Sequence, residues 1–145
     1  LGSCITYDVV DGEGTYRGGI IAPGMRMRAQ AMNAYSARLP MVEPGAHVPL
    51  VGRSTHESLA SGIFHGLRSE LRALIEDLGH EMAGAAVVLT GGDALRFARA
   101  LKSGIFADPL LTLNGLHALL LHQRSLAAGP ASSSGDRAGD GAVGG

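Results

Sequence analysis

Cys4-Ile5-Thr6-Tyr7-Asp8-Val9-Val10, then Asp11-Gly12-Glu13-Gly14, then Thr15-Tyr16-Arg17-Gly18-Gly19-Ile20-Ile21, is the stretch from which the rest of this chain is read. The first run is rich in β-branched and aromatic residues, which suit a pleated surface. Asp11 to Gly14 has turn chemistry. The stretch therefore predicts a β-hairpin, with Thr15 to Ile21 as the return strand. Gly12-x-Gly14 with Gly18 nearby lacks the GxGxxG spacing and lies between two strands rather than before a helix, so a dinucleotide loop is set aside. Upstream, Leu1-Gly2-Ser3 reads as the end of a strand and a glycine turn. Leu1 is not an initiator methionine, and the opening residues lack the charged and apolar regions of a signal peptide. The expectation is a chain cut inside a structural unit.

Downstream of the hairpin, Pro23-Gly24 is expected to open a helix to about Arg38, with Leu39-Pro40 as its stop. Met25, Met32, Tyr35 and Leu39 can share one face of it, as flexible core packing; Arg26 and Arg28 read as a solvated face. Residues 41–53 hold Pro44, Pro49, Gly45 and Gly52 and read as a long loop. Ser54-Thr55-His56-Glu57 is a capping box. The helix it opens is predicted to run to about Leu78, with Leu59, Ile63, Leu67, Leu71, Leu74 and Leu78 as its core stripe. A second row is small: Thr55, Ser58, Gly62, Gly66 and Ser69. Glycines inside a helix weaken it, so the row suggests a closely packed backbone, either intrachain or from a second subunit. Ala85 to Thr90 reads as a buried apolar strand, delivering Gly91-Gly92-Asp93 to a helix from Ala94 to Ser103. Asp108-Pro109 starts a last helix, with Leu113, Leu116, Leu120 and Leu121 as its apolar face. Hairpin, helix, helix, strand, helix, helix is the order of an α/β domain.

Composition bounds the functions. The chain has 145 residues, with 46% hydrophobic, 17% charged and a formal net charge of -1. That excludes a disordered chain and gives no basic field for nucleic acid. Aromatics are 4% and Trp is absent, which argues against a stacking platform. One cysteine cannot form an internal disulfide or a thiolate cage, and no apolar run reaches membrane-spanning length. From Arg124 to Gly145 the sequence is Gly/Ala/Ser-rich without apolar period and reads as a disordered tail. The folding part is then residues 1–123.

Two places gather backbone amides and hydroxyls. Gly2 and Ser3 form a turn whose N–H groups can grip phosphate oxygens. Thr90-Gly91-Gly92-Asp93 puts two glycines at a helix start, where a ligand can approach the backbone. The six histidines, His47, His56, His65, His80, His117 and His122, lack the spacing of a helical metal pair. His56 sits beside Thr55 at a helix start, where an exposed cap-turn residue is the plainer reading. Cys4 has no adjacent base and reads as packing.

Taken in order, Gly2-Ser3-Cys4-Ile5-Thr6-Tyr7-Asp8, Gly18-Gly19-Ile20-Ile21-Ala22-Pro23-Gly24, Leu39-Pro40, Gly52-Arg53-Ser54-Thr55, Ser61-Gly62-Ile63, Thr90-Gly91-Gly92 and Leu111-Thr112-Leu113-Asn114-Gly115-Leu116 resemble the C-terminal half of type III pantothenate kinases over residues 1–122. The resemblance implies one ribonuclease-H-like lobe of the acetate and sugar kinase/actin superfamily. It implies transfer of the γ-phosphoryl group of ATP to pantothenate, the first step of coenzyme A biosynthesis. Implied cofactors are ATP with Mg2+ and a monovalent cation, K+ or NH4+. Implied partners are pantothenate, ATP and a second copy of the chain, in the cytoplasm, with no nucleic acid and no membrane. By position, Ser3 matches the usually Thr hydroxyl residue of a phosphate loop, with Gly2 beside it. Gly91 and Gly92 match a nucleotide-side turn, and Thr55 matches a residue that contacts pantothenate.

The resemblance also implies what is not in these residues. The family's first phosphate loop, its Gly-x-Asp-Arg acceptor segment and its Asp base lie upstream of Leu1. Its cation-binding Asp falls immediately before Leu1. Asp8, Asp11 and Asp93 do not replace the base, so the isolated 145 residues are expected to be inactive. Competing expectations are a Bvg accessory factor-like regulatory protein without kinase activity, another superfamily kinase for a sugar or short acid, and a dimerisation module.

Overall fold

The computed structural model describes residues 1–82, 84–101 and 104–127. The chain forms two compact units, Leu1–Leu111 and Thr112–Gly145. In the first, β1 (Cys4–Val10) and β2 (Tyr16–Pro23) pair antiparallel. α1 (Met25–Ala34) and α2 (Thr55–Glu81) follow, then β3 (Val87–Leu89), α3 (Ala94–Leu101) and β4 (Ile105–Ala107). β3 and β4 pair parallel, joined by α3 as a crossover, which makes the fold mixed α/β. α4 (Leu111–Ala127) starts at the boundary and supplies the described part of the second unit.

The hairpin forms where its turn chemistry lies. Asp11 Oδ1 accepts from the Glu13 and Thr15 amides at 3.0 and 2.8 Å, and Gly14 takes φ +81. Alternation on β1 turns Ile5 into the core and leaves Cys4 exposed, so the packing role expected of Cys4 does not hold. The main core joins Ile5, Met25, Ala29, Ile63, Leu67, Leu71, Leu89, Ala94 and Phe97. A smaller core joins Val42, Leu59 and Ala60, with Leu39 and Val48 against it.

Several boundaries differ from the sequence reading. Pro23 ends β2, Gly24 is the N-cap, and α1 stops at Ala34 rather than near Arg38. The chain leaves the helix early because Leu39 packs into the smaller core, while Asn33 Nδ2 donates to the Leu39 carbonyl at 2.7 Å. The shared face expected of Met25, Met32, Tyr35 and Leu39 is therefore not formed. Met25 and Ala29 are the buried pair, and Tyr35 is 92% exposed. Arg28 is not simply solvated: it pairs with Glu70 at 2.6 Å. α2 keeps its stripe and runs on to Glu81.

The strand expected over 85–90 shortens to Val87–Leu89, and Val88 is exposed. β4 is an added strand; Ile105-Phe106-Ala107 is too short to carry a periodic signal. α3 is described to Leu101, and Lys102 and Ser103 lie outside the described residues. Residues 124–127, read as the start of the tail, belong to α4. The rest of that stretch, 128–145, lies outside the described residues. No residue of α4 is buried, so its leucine face stands exposed.

Candidate functional site

The two turns singled out in the sequence meet at Leu1. The Leu1 nitrogen donates to the Thr90 carbonyl at 2.8 Å, and the Asp93 amide donates to the Leu1 carbonyl at 3.3 Å. Leu1–Ser3 therefore runs against the end of β3 and the start of α3. Gly91 takes φ +96, and a Cβ there would stand 2.5 Å from the Leu1 carbonyl oxygen. Both the conformation and the space require glycine. Gly92 is exposed, with open space where its Cβ would be. A ligand can thus reach the backbone at Gly92 without side-chain obstruction.

A third element closes on the same turn. The Gly24 amide donates to the Ser3 carbonyl at 2.9 Å, and a Cβ on Gly24 would lie 2.8 Å from that oxygen. Gly24 caps α1 with no side-chain hydrogen bond, and no acidic residue sits in the first turn. The start of α1 instead faces the carbonyl oxygens of Gly2 and Ser3. Ser3 is exposed. Gly2, Ser3, Gly91 and Gly92 are so brought to one junction, within which the Gly2 amide donates to the Cys4 carbonyl at 3.1 Å.

Thr55 lies on a different support. It is the first residue of α2 and is exposed. The Glu57 amide donates to Ser54 Oγ at 3.2 Å, and Glu57 Oε2 accepts from the Arg53 amide at 2.7 Å. The capping box is thus present, its return bond shifted by one residue. A Cβ on Gly52 would stand 2.5 Å from the Glu57 carbonyl carbon, so the chain enters the helix pressed against its first turn. None of the hydrogen bonds among the described residues joins Thr55 to the turns at Leu1 and Gly91. His56 is exposed beside it.

Among the described residues, the small row on α2 has no neighbour where it is smallest. Nothing lies within 4 Å of a Cβ on Gly62 or Gly66. Gly62 instead borders an open apolar groove of about 460 Å³, with Met27, Ala31 and Met32 on its α1 side.

Two arrangements carried no sequence signal, because each joins residues far apart in the chain. Tyr7 Oη donates to Glu70 Oε1 at 3.2 Å, and Arg28 Nη2 donates to Glu70 Oε2 at 2.6 Å. Burial, then the Glu70 carboxylate and its hydrogen bond, push the Tyr7 phenol up to about 12, and Arg28 opposes this. The network ties β1 to α1 and α2. The other arrangement is Arg96, which reaches from α3 to the carbonyls of Pro44 and Gly45.

The residues just described coincide with known relatives. Residues 1–77 match the sequence model of the family "Type III pantothenate kinase". A type III pantothenate kinase of Phocaeicola vulgatus is 42% identical over 125 residues, covering 86% of this chain and 52% of that protein. One from Porphyromonas gingivalis is 42% identical over 122 residues, covering 82% and 50%. The chain spans about half the length of the curated relatives it matches. Among solved structures, a conserved Baf family protein from Campylobacter jejuni, provisionally named a transcriptional activator, superposes with a TM-score of 0.62 at 26% identity. It covers 86% of this chain and 56% of that one. Since the family match takes in more than half of the 145 residues, the chain belongs to the type III pantothenate kinase family.

Proposed function

We propose that this chain supplies the phosphate grip and part of the acceptor wall of a pantothenate kinase. The intact protein transfers the γ-phosphoryl group of ATP to pantothenate, giving 4′-phosphopantothenate at the start of coenzyme A biosynthesis. The observation that carries this reading is the junction at Leu1, where Gly2-Ser3 and Gly91-Gly92 meet. Phosphoryl transfer demands alignment and neutralisation of phosphate charge more than covalent chemistry. The amides of Gly91 and Gly92 and the Ser3 hydroxyl are donors of the kind that task needs, Gly2 gives the turn its close backbone, and Thr55 is assigned to the acceptor. The hairpin with its β3–α3–β4 crossover supports a ribonuclease-H-like lobe.

ATP with Mg2+ and a monovalent cation, K+ or NH4+, belong to the same reading. Among the described residues no group of three or more His, Cys, Asp or Glu could hold a metal ion. This chain's side chains therefore do not fit a metal site by themselves, and no step is assigned through one. The cation-binding Asp and the base belong upstream of Leu1, so the isolated chain is inactive in this reading. The protein acts in the cytoplasm as a homodimer, for which the open row at Gly62 and Gly66 is the support. Among the described residues, no helix is long and apolar enough to cross a membrane.

The test is a kinase assay on the protein extended upstream to the length of its relatives. Potassium-dependent formation of 4′-phosphopantothenate, lost in Thr55→Ala, is the expected result. The Baf naming of the Campylobacter jejuni protein favours one second reading, a regulatory protein without kinase activity. Absence of turnover with ATP, pantothenate and either cation would select it.

A further inference from the structure

Residues 39–53 join α1 to α2 without regular structure, and they lead directly into Ser54 and Thr55. Pro40, Pro44 and Pro49 remove three amides from this stretch, so its carbonyls cannot form a local ladder. They are satisfied instead by side chains. Asn33 Nδ2 donates to Leu39, Ser61 Oγ donates to Leu50 at 2.6 Å, and His65 Nε2 lies 3.2 Å from the Val48 oxygen. A carbonyl can only accept, so His65 carries its proton on Nε2. These three donors come from the helices that the loop connects.

Arg96 is different. It sits on α3, the helix that starts immediately after Gly91-Gly92. Its Nη1 donates to the Pro44 carbonyl at 2.8 Å and its Nη2 to the Gly45 carbonyl. The guanidinium lies 4.7 Å over the Phe64 ring, and Phe64 stacks on the buried Phe97. Among the described residues Arg96 forms no ion pair. A fork of two parallel donors, backed by an aromatic face, fits two successive carbonyls in a way that an ammonium does not.

We infer that Arg96 is a positioning residue that ties the acceptor-side loop, and through it Thr55, to the helix carrying the phosphate-side turn. The inference rests on the assignment of Thr55 to the acceptor. Its mechanical part stands without that assignment: Pro44 and Gly45 of the loop are held to α3 by one guanidinium, while the body of α2 meets α3 through Phe64 and Phe97. Arg96 does not touch the reactants; it fixes the distance between the groups that do.

The experiment has two arms. In the 145-residue chain, Arg96→Ala should speed exchange of the hydrogen-bonded Arg53, Glu57 and Ser58 amides at the entry of α2 about tenfold, the weight of one charge-assisted hydrogen bond. Amides of Ile63 to Leu71 should not change. A uniform rise across the chain, or no rise at those three amides, overturns the inference. In the full-length kinase, Arg96→Ala should raise KM for pantothenate about tenfold and leave KM for ATP within about twofold. Arg96→Lys should resemble Arg96→Ala, and ethylguanidinium but not ethylammonium should restore the alanine variant. Equal rises in both KM values, an unchanged pantothenate KM, or full function of Arg96→Lys overturns it. If the parent protein makes no phosphopantothenate, the reading of Thr55 fails, while the exchange arm still decides the role of Arg96.

Discussion

Gly91 and Gly92 are neighbours with opposite reasons for being glycine. Gly91 adopts φ +96 against the Leu1 carbonyl, whereas Gly92 faces open space. Gly91→Ala should therefore cost about 1–3 kcal/mol of stability, read as a lowered urea midpoint. Gly92→Ala should stay within about 0.5 kcal/mol and show itself only as weaker ATP binding by calorimetry. The pair was legible in the sequence as a strand-to-helix turn. Its junction with Gly2-Ser3 was not, because the bonds that make it link residues about ninety positions apart. Ser54 and Thr55 divide in the same way. Ser54→Ala should lose about 1 kcal/mol, the ordinary weight of a helix cap. Thr55→Ala, exposed and outside the cap bonds, should leave the thermal midpoint in place and lower pantothenate phosphorylation.

Among elements, α2 was the most legible, since a capping box and a four-three leucine stripe both act within one helix. α1 was legible in existence but not in length. Its end is decided by Leu39 entering a core built with Val42, Leu59 and Ala60, a tertiary demand with no local mark. β4 was missed because three residues carry no period. The Tyr7–Glu70–Arg28 network binds three elements and gives a pH signature. The Tyr7 phenol stands at about 12 in the fold against an ordinary 10.0. Below pH 10 both states hold the proton and the contribution is complete. Between about 10 and 12 the unfolded chain releases its proton first, so stability falls with rising pH. Tyr7→Phe should flatten part of that fall in urea titrations between pH 9 and 12.

At the scale of the molecule, the chain is about half of its curated relatives, and its site is correspondingly partial. Gly2-Ser3 and Gly91-Gly92 are brought together at Leu1, and the proposed reading gives them the phosphate. The ordered set of motifs made the family legible, since seven segments spread over the chain must agree at once. Homodimer formation was readable only as a question raised by glycines on one helix face. The fold leaves those glycines uncovered, so Gly62→Glu has room for its Cβ and should not unfold α2. The expected outcome is a shift from two chains to one in sedimentation, with helicity unchanged in circular dichroism.

The anchoring of residues 39–53 through main-chain oxygens has a consequence for how the loop can drift. A carbonyl is present whatever residue carries it, so beyond the packed side chains of Leu39, Val42 and Val48 the loop's path is written in its holders. Exposed positions such as Glu43, Ala46 and His47 are then free to diverge, while Ser61, His65 and Arg96, distant in sequence, carry the constraint. A saturation library over those exposed loop positions should yield mostly stable chains, and the same library over the three donors should yield few.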